Sequence, residues 1–165
     1  MTPNAHETSI STPSDREFVM ERVFDAPRKL VWQVWTQPEH LTQWWGPQGC
    51  TLPVCTVDLR PGGTWHYCIR GPEGEENWSK TTYHEVVEPE RLVYSDAFSD
   101  ETGNVIEGMP QMIVTLTFDD LDGKTKVTAH SQFASAADLQ ALLNMGVAQG
   151  ASETWDRLAT YLASI

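Results

Sequence analysis

The sequence predicts an α+β fold in which a curved antiparallel sheet of about six or seven strands wraps around a long C-terminal helix. Apolar residues recur at steps of three and four over Ser135–Ser164, which is the spacing of one helix face. Before them, about six consecutive strand-like segments are separated by turns rich in Gly, Pro and Asp. Two short helical segments follow the first strand. Strands joined by short turns are typical of an antiparallel meander, whose apolar face the helix needs as a partner.

Length and charge limit the possible functions. The 165 residues favour one domain with a substantial core. Lys and Arg number 11 against 23 Asp and Glu, which gives a formal net charge of −12. Such a surface repels phosphate backbones and anionic lipid headgroups, so we expect neither a nucleic-acid nor a membrane partner. No run of apolar residues is long enough to span a bilayer.

The N-terminal residues are predicted to be a disordered leader over 1–15, followed by one domain over 16–165. The leader has neither the basic start nor the apolar segment of a secretory signal. The chain has three cysteines, an odd number. Without a signal segment, this number indicates reduced thiols and a cytoplasmic location.

The elements before the last helix are predicted from alternation and from helix signals. Glu17–Phe24 alternates with Phe18 and Met20 inward, and Asp25 followed by Pro27 is typical of a helix start. The predicted elements are a strand at Glu17–Phe24, helices at Arg28–Thr36 and Glu39–Trp45, and strands at Val54–Leu59, Thr64–Arg70, Trp78–Val87, Arg91–Phe98, Gln111–Phe118 and Lys124–Phe133.

The turn over 60–63 predicts a hairpin in which Asp58 pairs with Thr64. This register bears on zinc binding, for which four residues are of the right type: Cys50, Cys55, His66 and Cys68. The pairing places Cys55 on the face opposite His66 and Cys68, so three ligands cannot converge. The sequence therefore predicts no metal site, and the absence of a Gly-rich phosphate loop predicts no nucleotide cofactor.

The terminal helix is predicted to begin at the N-cap Ser135, with Asp138 in the place of a capping-box residue. As one rod it would be roughly 45 Å long. Gly146 and Gly150 lie on its inward face, although a glycine inside a helix costs about 1 kcal/mol relative to Ala. Either a strand backbone approaches closely there, or the volume beneath the helix is left open for a ligand.

One carboxylate is a candidate for chemistry. Asp96 shares strand parity with Leu92, Tyr94 and Phe98, so it can point inward. The alternative is an aspartate near the strand end that hydrogen-bonds a neighbouring loop. His66 and His130 lie on the sides of their own strands that face away from the apolar residues, so they are expected to face solvent.

Aromatic and Met residues could line a pocket or simply fill the core. Flat aromatic rings and flexible Met side chains suit a pocket for an apolar guest. The candidate ligand-binding residues are Trp65, Tyr67, Tyr94, Met112, Gly146, Gly150 and Trp155.

Several motifs resemble one known family: Phe24-Asp25-Ala26-Pro27, Trp44-Trp45-Gly46-Pro47, DLRPGGTW at 58–65, RGPEG at 70–74, EPERLVY at 88–94, and Gly150, Leu158 and Leu162 in the last helix. Together they resemble the helix-grip superfamily of START-like and birch-pollen-allergen-like domains (SRPBCC). Within it they resemble the homologues of the activator of the 90-kDa heat-shock protein ATPase. The resemblance implies an apolar cavity between sheet and helix. Such domains generally bind small hydrophobic molecules, and a minority are cyclases or hydrolases. Family members often carry a bulky apolar residue where this chain has Ala151.

The sequence therefore predicts a cytoplasmic module that binds a small hydrophobic ligand and needs no cofactor. One alternative is a cofactor-free cyclase or hydrolase that uses Asp96 and a tyrosine. Another is an interaction protein of the chaperone or stress-response type, which would have a solid core and an exposed apolar patch near Trp44 and Trp45. A homodimer is compatible with any of these.

Overall fold

The computed structural model describes residues 7–165, which form one antiparallel sheet and four helices. The elements are β1 Ser9–Ser14, β2 Glu17–Phe24, α1 Arg28–Thr36, α2 Pro38–Trp44, β3 Thr51–Val57, β4 Thr64–Arg70, β5 Glu76–Val87, β6 Arg91–Ser99, β7 Gln111–Leu121, β8 Lys124–Phe133, α3 Ala136–Asn144 and α4 Val147–Ser164. Within these residues, no helix combines the length and the apolar composition that crossing a bilayer requires.

The eight strands form a single sheet in the order β1-β2-β8-β7-β6-β5-β4-β3. The predicted α+β helix-grip arrangement is confirmed, including the two short helices between β2 and β3. The predicted hairpin register is also confirmed, because the Asp58 N–H donates to the Thr64 carbonyl at 2.8 Å and Cys55 pairs with Tyr67. The strand β2 pairs antiparallel with β8 along its whole length, from Glu17 with Gln132 to Phe24 with Thr125.

The predicted leader over 1–15 is wrong in its second half, because Ser9–Ser14 forms the edge strand β1. Its backbone pairs with β2, for example Ile10 with Met20. All six side chains of β1 are exposed, so the strand has no buried face and no alternation that a sequence pattern could reveal. Residues 1–6 lie outside the described part of the chain.

The predicted single C-terminal helix is two helices, separated at Met145 and Gly146. Gly146 has φ +84°, a left-handed conformation that ends α3 and that side chains with a Cβ rarely adopt. The helix α4 alone has 18 residues and is roughly 27 Å long. The predicted N-cap is confirmed, since the Asp138 N–H donates to Ser135 Oγ at 3.1 Å.

The first helix also begins differently from the prediction. Pro27 occupies the N-cap of α1, and no side chain caps this helix, so Asp25 has no capping role. The backbone of Pro27 is extended, with φ −69° and ψ 148°, so this residue lies just before the first helical turn rather than within it. Proline adopts this φ without strain.

An aromatic cluster holds the helices on the sheet. The Trp35 ring of α1 makes edge contacts with Trp44, Phe118 and Trp155, at centroid distances of 4.9, 5.6 and 5.7 Å. All four side chains are buried. Because they come from α1, α2, β7 and α4, this cluster fixes the position of α4 over the sheet.

Candidate functional site

The fold leaves a cavity of about 710 Å³ between the inner face of the sheet and the helices α3 and α4. Most of its wall is apolar, with contributions from Met20, Phe98, Met112, Phe133, Leu142 and Trp155. Four of the five methionines lie on this wall, namely Met20, Met109, Met112 and Met145. Flexible thioether side chains can adapt to an irregular apolar guest.

Gly146, between α3 and α4, and Gly150, inside α4, border this open volume. A Cβ added at Gly150 would meet only Pro47 Cγ, at 3.5 Å, and a Cβ added at Gly146 would meet no atom of residues 7–165 within 4 Å. Among residues 7–165 no strand backbone comes within 4 Å of either added Cβ, so close packing does not account for the two glycines. Gly146 is required by its positive φ, whereas Gly150 has no such conformational requirement.

Asp96 lies on the cavity wall, as its strand parity predicts. The Thr81 hydroxyl donates to Asp96 Oδ1 at 3.2 Å. Burial raises the pKa of Asp96 to about 6, and the hydrogen bonds from Thr81 and from the Ala97 backbone offset part of this effect. In the described part of the chain, no Lys, Arg or His forms an ion pair with this carboxylate.

Tyr67 and Tyr94 also lie on the wall, and both stay neutral phenols. Burial raises the pKa of each hydroxyl well above its usual range, and the negative charge of Asp96 adds to the effect. Tyr67 stacks on Trp65 with ring centroids 4.3 Å apart, so its ring is held rigidly. These hydroxyls can orient the polar end of a guest, but they cannot act as bases near neutral pH.

Trp65, one of the predicted ligand-binding residues, does not border the cavity. It is buried, and its ring stacks on that of Tyr67. Its strand parity is that of Tyr67, and the ring of Trp45 packs against it at a centroid distance of 4.8 Å. The other candidates, from Tyr67 to Trp155, all border the cavity.

Trp45 borders the cavity, although it is not among the ligand-binding residues predicted from the sequence. Its Nε1–H is buried without a hydrogen-bond partner among residues 7–165. The sequence places Trp45 at the end of a helix beside Gly46 and Pro47, and this position predicts a cap on one end of the domain. Contact with the cavity depends on how the following loop is held.

That loop is held by α4. Arg157 Nη1 donates to the carbonyls of Gly46 and Pro47, at 2.9 and 3.1 Å. The Gln48 N–H donates to Glu153 Oε1 at 3.1 Å. Both side chains have the polar character of an outer helix face, so the sequence pattern does not reveal that they position a wall of the cavity.

The thiols and histidines do not form a metal centre in the described residues, where no three His, Cys, Asp or Glu side chains are close enough to bind one ion. Cys55 and Cys68 lie on opposite faces of the β3–β4 hairpin, as the register predicts. Burial raises the pKa of both thiols, which disfavours the thiolate form that binds metal.

The chain matches the family model described as Activator of Hsp90 ATPase homolog 1-like protein over residues 25–163. The chain belongs to this family. The AHSA1 family is part of the SRPBCC helix-grip superfamily, so the resemblance seen in the motifs is confirmed. A comparison with curated protein sequences finds no significant match.

Solved structures with the same fold include several bacterial proteins. Protein Ms6760 from Mycobacterium smegmatis is 33% identical, with a TM-score of 0.85 over 93% of this chain and 94% of that chain. A solution structure from Arthrobacter aurescens is 27% identical, with a TM-score of 0.86 over 95% and 92%. The AHSA1 protein SPO3351 from Silicibacter pomeroyi is 19% identical, with a TM-score of 0.69 over 89% and 97%, and its similarity concerns the fold alone.

Proposed function

We propose that this AHSA1-family protein binds a small hydrophobic molecule in the cavity between its sheet and its C-terminal helices. The observation that carries the proposal is the apolar volume of about 710 Å³ beside Gly150. Sites for small molecules usually measure about 300–1,000 Å³ and combine an apolar wall with a few polar groups. Asp96, Tyr67 and Tyr94 are such groups here.

The hypothesis of an interaction protein has less support than the ligand-binding proposal. It requires a solid core and an exposed apolar patch near Trp44 and Trp45. Trp44 is fully buried, with its indole N–H donating to the Val34 carbonyl at 3.0 Å, and Trp45 faces the cavity. Neither tryptophan offers a docking surface.

One observation favours a catalytic role as a second candidate. A carboxyl group with a pKa of about 6 inside an apolar cavity is suited to general acid–base chemistry near neutral pH. A cofactor-free hydrolase of this kind would cleave p-nitrophenyl butyrate at a rate that falls below pH 6 and is lost in Asp96→Asn. Equal rates in the wild type and the variant would remove this candidate.

Binding is tested by titrating the protein with N-phenyl-1-naphthylamine, a neutral probe that fluoresces in apolar surroundings. We expect saturation at one probe per chain with a Kd below about 100 µM. A fluorescence increase that does not saturate, or that corresponds to many probes per chain, would contradict the proposal. If the probe binds as expected, native mass spectrometry of protein purified from its own host would identify a natural ligand by its mass.

A further inference from the structure

The cavity wall has a marked asymmetry of charge. Two carboxylates border it, Asp96 and Glu76, whereas no Lys, Arg or His among residues 7–165 does. Glu76 is already paired with Arg70, through Arg70 Nη2 at 2.6 Å, and both side chains are exposed. Asp96 is therefore the charge that a bound ligand meets without a compensating cation.

The hydrogen bonds of Asp96 are also incomplete. The Thr81 hydroxyl donates to Oδ1 and the Ala97 backbone also hydrogen-bonds the carboxylate, and within the described residues no other side chain donates to it. An ionised carboxylate has about four acceptor positions, so Asp96 has positions left for further donors. A ligand that donates from inside the cavity would fill them.

We propose, building on the binding function above, that the ligand is an apolar molecule with a protonated amine that donates to the Asp96 carboxylate. A charge-assisted hydrogen bond of this type is stronger than a neutral one. The rings of Tyr67, Tyr94 and Trp45 also border the cavity, and an ammonium group over an aromatic face gains further attraction. A ligand with a carboxylate would instead face Asp96 with a like charge.

Three probes with one hydrocarbon body and different polar ends test the proposal: decylamine, decanol and decanoate. The affinity of each is measured by its displacement of N-phenyl-1-naphthylamine at pH 7.5. We expect decylamine to bind at least about tenfold more tightly than decanol, because it adds a hydrogen bond between charged groups. Decanoate should bind more weakly than decanol.

The variant Asp96→Asn should reduce the advantage of decylamine over decanol to within about threefold, because a neutral amide gains no charge-assisted bond. Glu101→Gln is the matched control. It removes the same charge from an exposed residue that does not border the cavity, so it should leave the preference unchanged. Circular dichroism would check that both variants fold.

A second measurement needs no variant. Lowering the pH from 7.5 to 5 should weaken the binding of decylamine by roughly five- to tenfold relative to that of decanol. The reason is that Asp96, with a pKa of about 6, gains a proton and loses its charge between these two pH values. Three hydroxyls sense the charge of Asp96, and they stay neutral throughout because burial raises their pKa values; they are Tyr67 on β4, Tyr83 on β5 and Tyr94 on β6. Glu76, the other carboxylate that borders the cavity, is exposed and forms an ion pair with Arg70.

The outcomes separate the two proposals. If decanol binds but decylamine has no advantage, or keeps its advantage in Asp96→Asn, the amine proposal is wrong and the binding function stands. If neither N-phenyl-1-naphthylamine nor decanol binds, both proposals fail.

Discussion

Replacing Gly150 with Leu separates ligand binding from stability, because this residue borders the cavity without being needed by the backbone. A Cβ at Gly150 would lie 3.5 Å from Pro47 Cγ, which is ordinary van der Waals contact. The rest of a leucine side chain would extend from α4 into the volume proposed for the ligand. The substitution therefore adds apolar atoms where the protein has open space.

The expected effect on stability is small and favourable. Replacing a helix glycine by a better helix former contributes about 0.5–1 kcal/mol. Apolar contacts made by the new side chain add to this, whereas imperfect packing costs up to a similar amount. We expect the free energy of unfolding to rise by about 1 kcal/mol, which shifts the thermal midpoint upward by roughly 2–4 °C.

Binding should respond in the opposite direction. Titration with N-phenyl-1-naphthylamine should show at least about tenfold weaker binding for Gly150→Leu, since part of the cavity is filled. Gly150→Ala is the matched control; it should gain stability and keep its affinity, because one methyl group leaves most of the volume open. If Gly150→Leu lowers the midpoint and the affinity together, the glycine serves packing and the reasoning is refuted.

Three further predictions concern stability. Asp96→Asn should be more stable than the wild type by about 1–3 kcal/mol at pH 7.5 and by much less at pH 4.5 in urea unfolding. The reason is that the folded pKa of about 6 exceeds the ordinary 3.8, so the folded state binds more protons and loses stability as pH rises between these values; an advantage that does not depend on pH would contradict this. Asp156→Ala should cost about 1–3 kcal/mol, because it leaves the buried Arg22 guanidinium without its 2.6 Å partner, whereas the double variant with Arg22→Met should recover most of the loss. Ser135→Ala should cost about 1 kcal/mol through loss of the N-cap, and equal thermal midpoints for variant and wild type would contradict that role.

The sequence predicts the strands that have one apolar face and fails where no such face exists. Thr64–Arg70 and Lys124–Phe133 have the predicted bounds because their side chains alternate between the core and the outer face. Ser9–Ser14 pairs with β2 through its backbone and buries no side chain, so its sequence has no apolar alternation.

The break between α3 and α4 shows a second limit of periodicity. Leu142 and Trp155 both contribute to the buried side, so the apolar stripe continues across the interruption. The local signal is Gly146 after a helical segment, which is a common position for a left-handed helix end. Read in this way, the sequence predicts the break that the stripe conceals.

The cavity wall is predicted only in part because parity gives direction but not depth. Tyr67 and Trp65 point to the same side of β4 and Trp45 packs against both rings, yet of the two only Tyr67 borders the cavity. Arg157 positions the Trp45–Pro47 loop through backbone carbonyls, which carry no sequence signature. Such contacts between distant segments become visible only in three dimensions.

The most direct test of the central claim is an NMR titration with N-phenyl-1-naphthylamine of protein labelled with ¹³C at its methionine methyl groups. Met20 and Met112 lie on the cavity wall and come from strands on different parts of the sheet. We expect saturable shifts of both methyl groups and nuclear Overhauser contacts from the probe to each of them. Binding that leaves both methyl groups unshifted would place the probe outside the cavity and contradict the proposed ligand site.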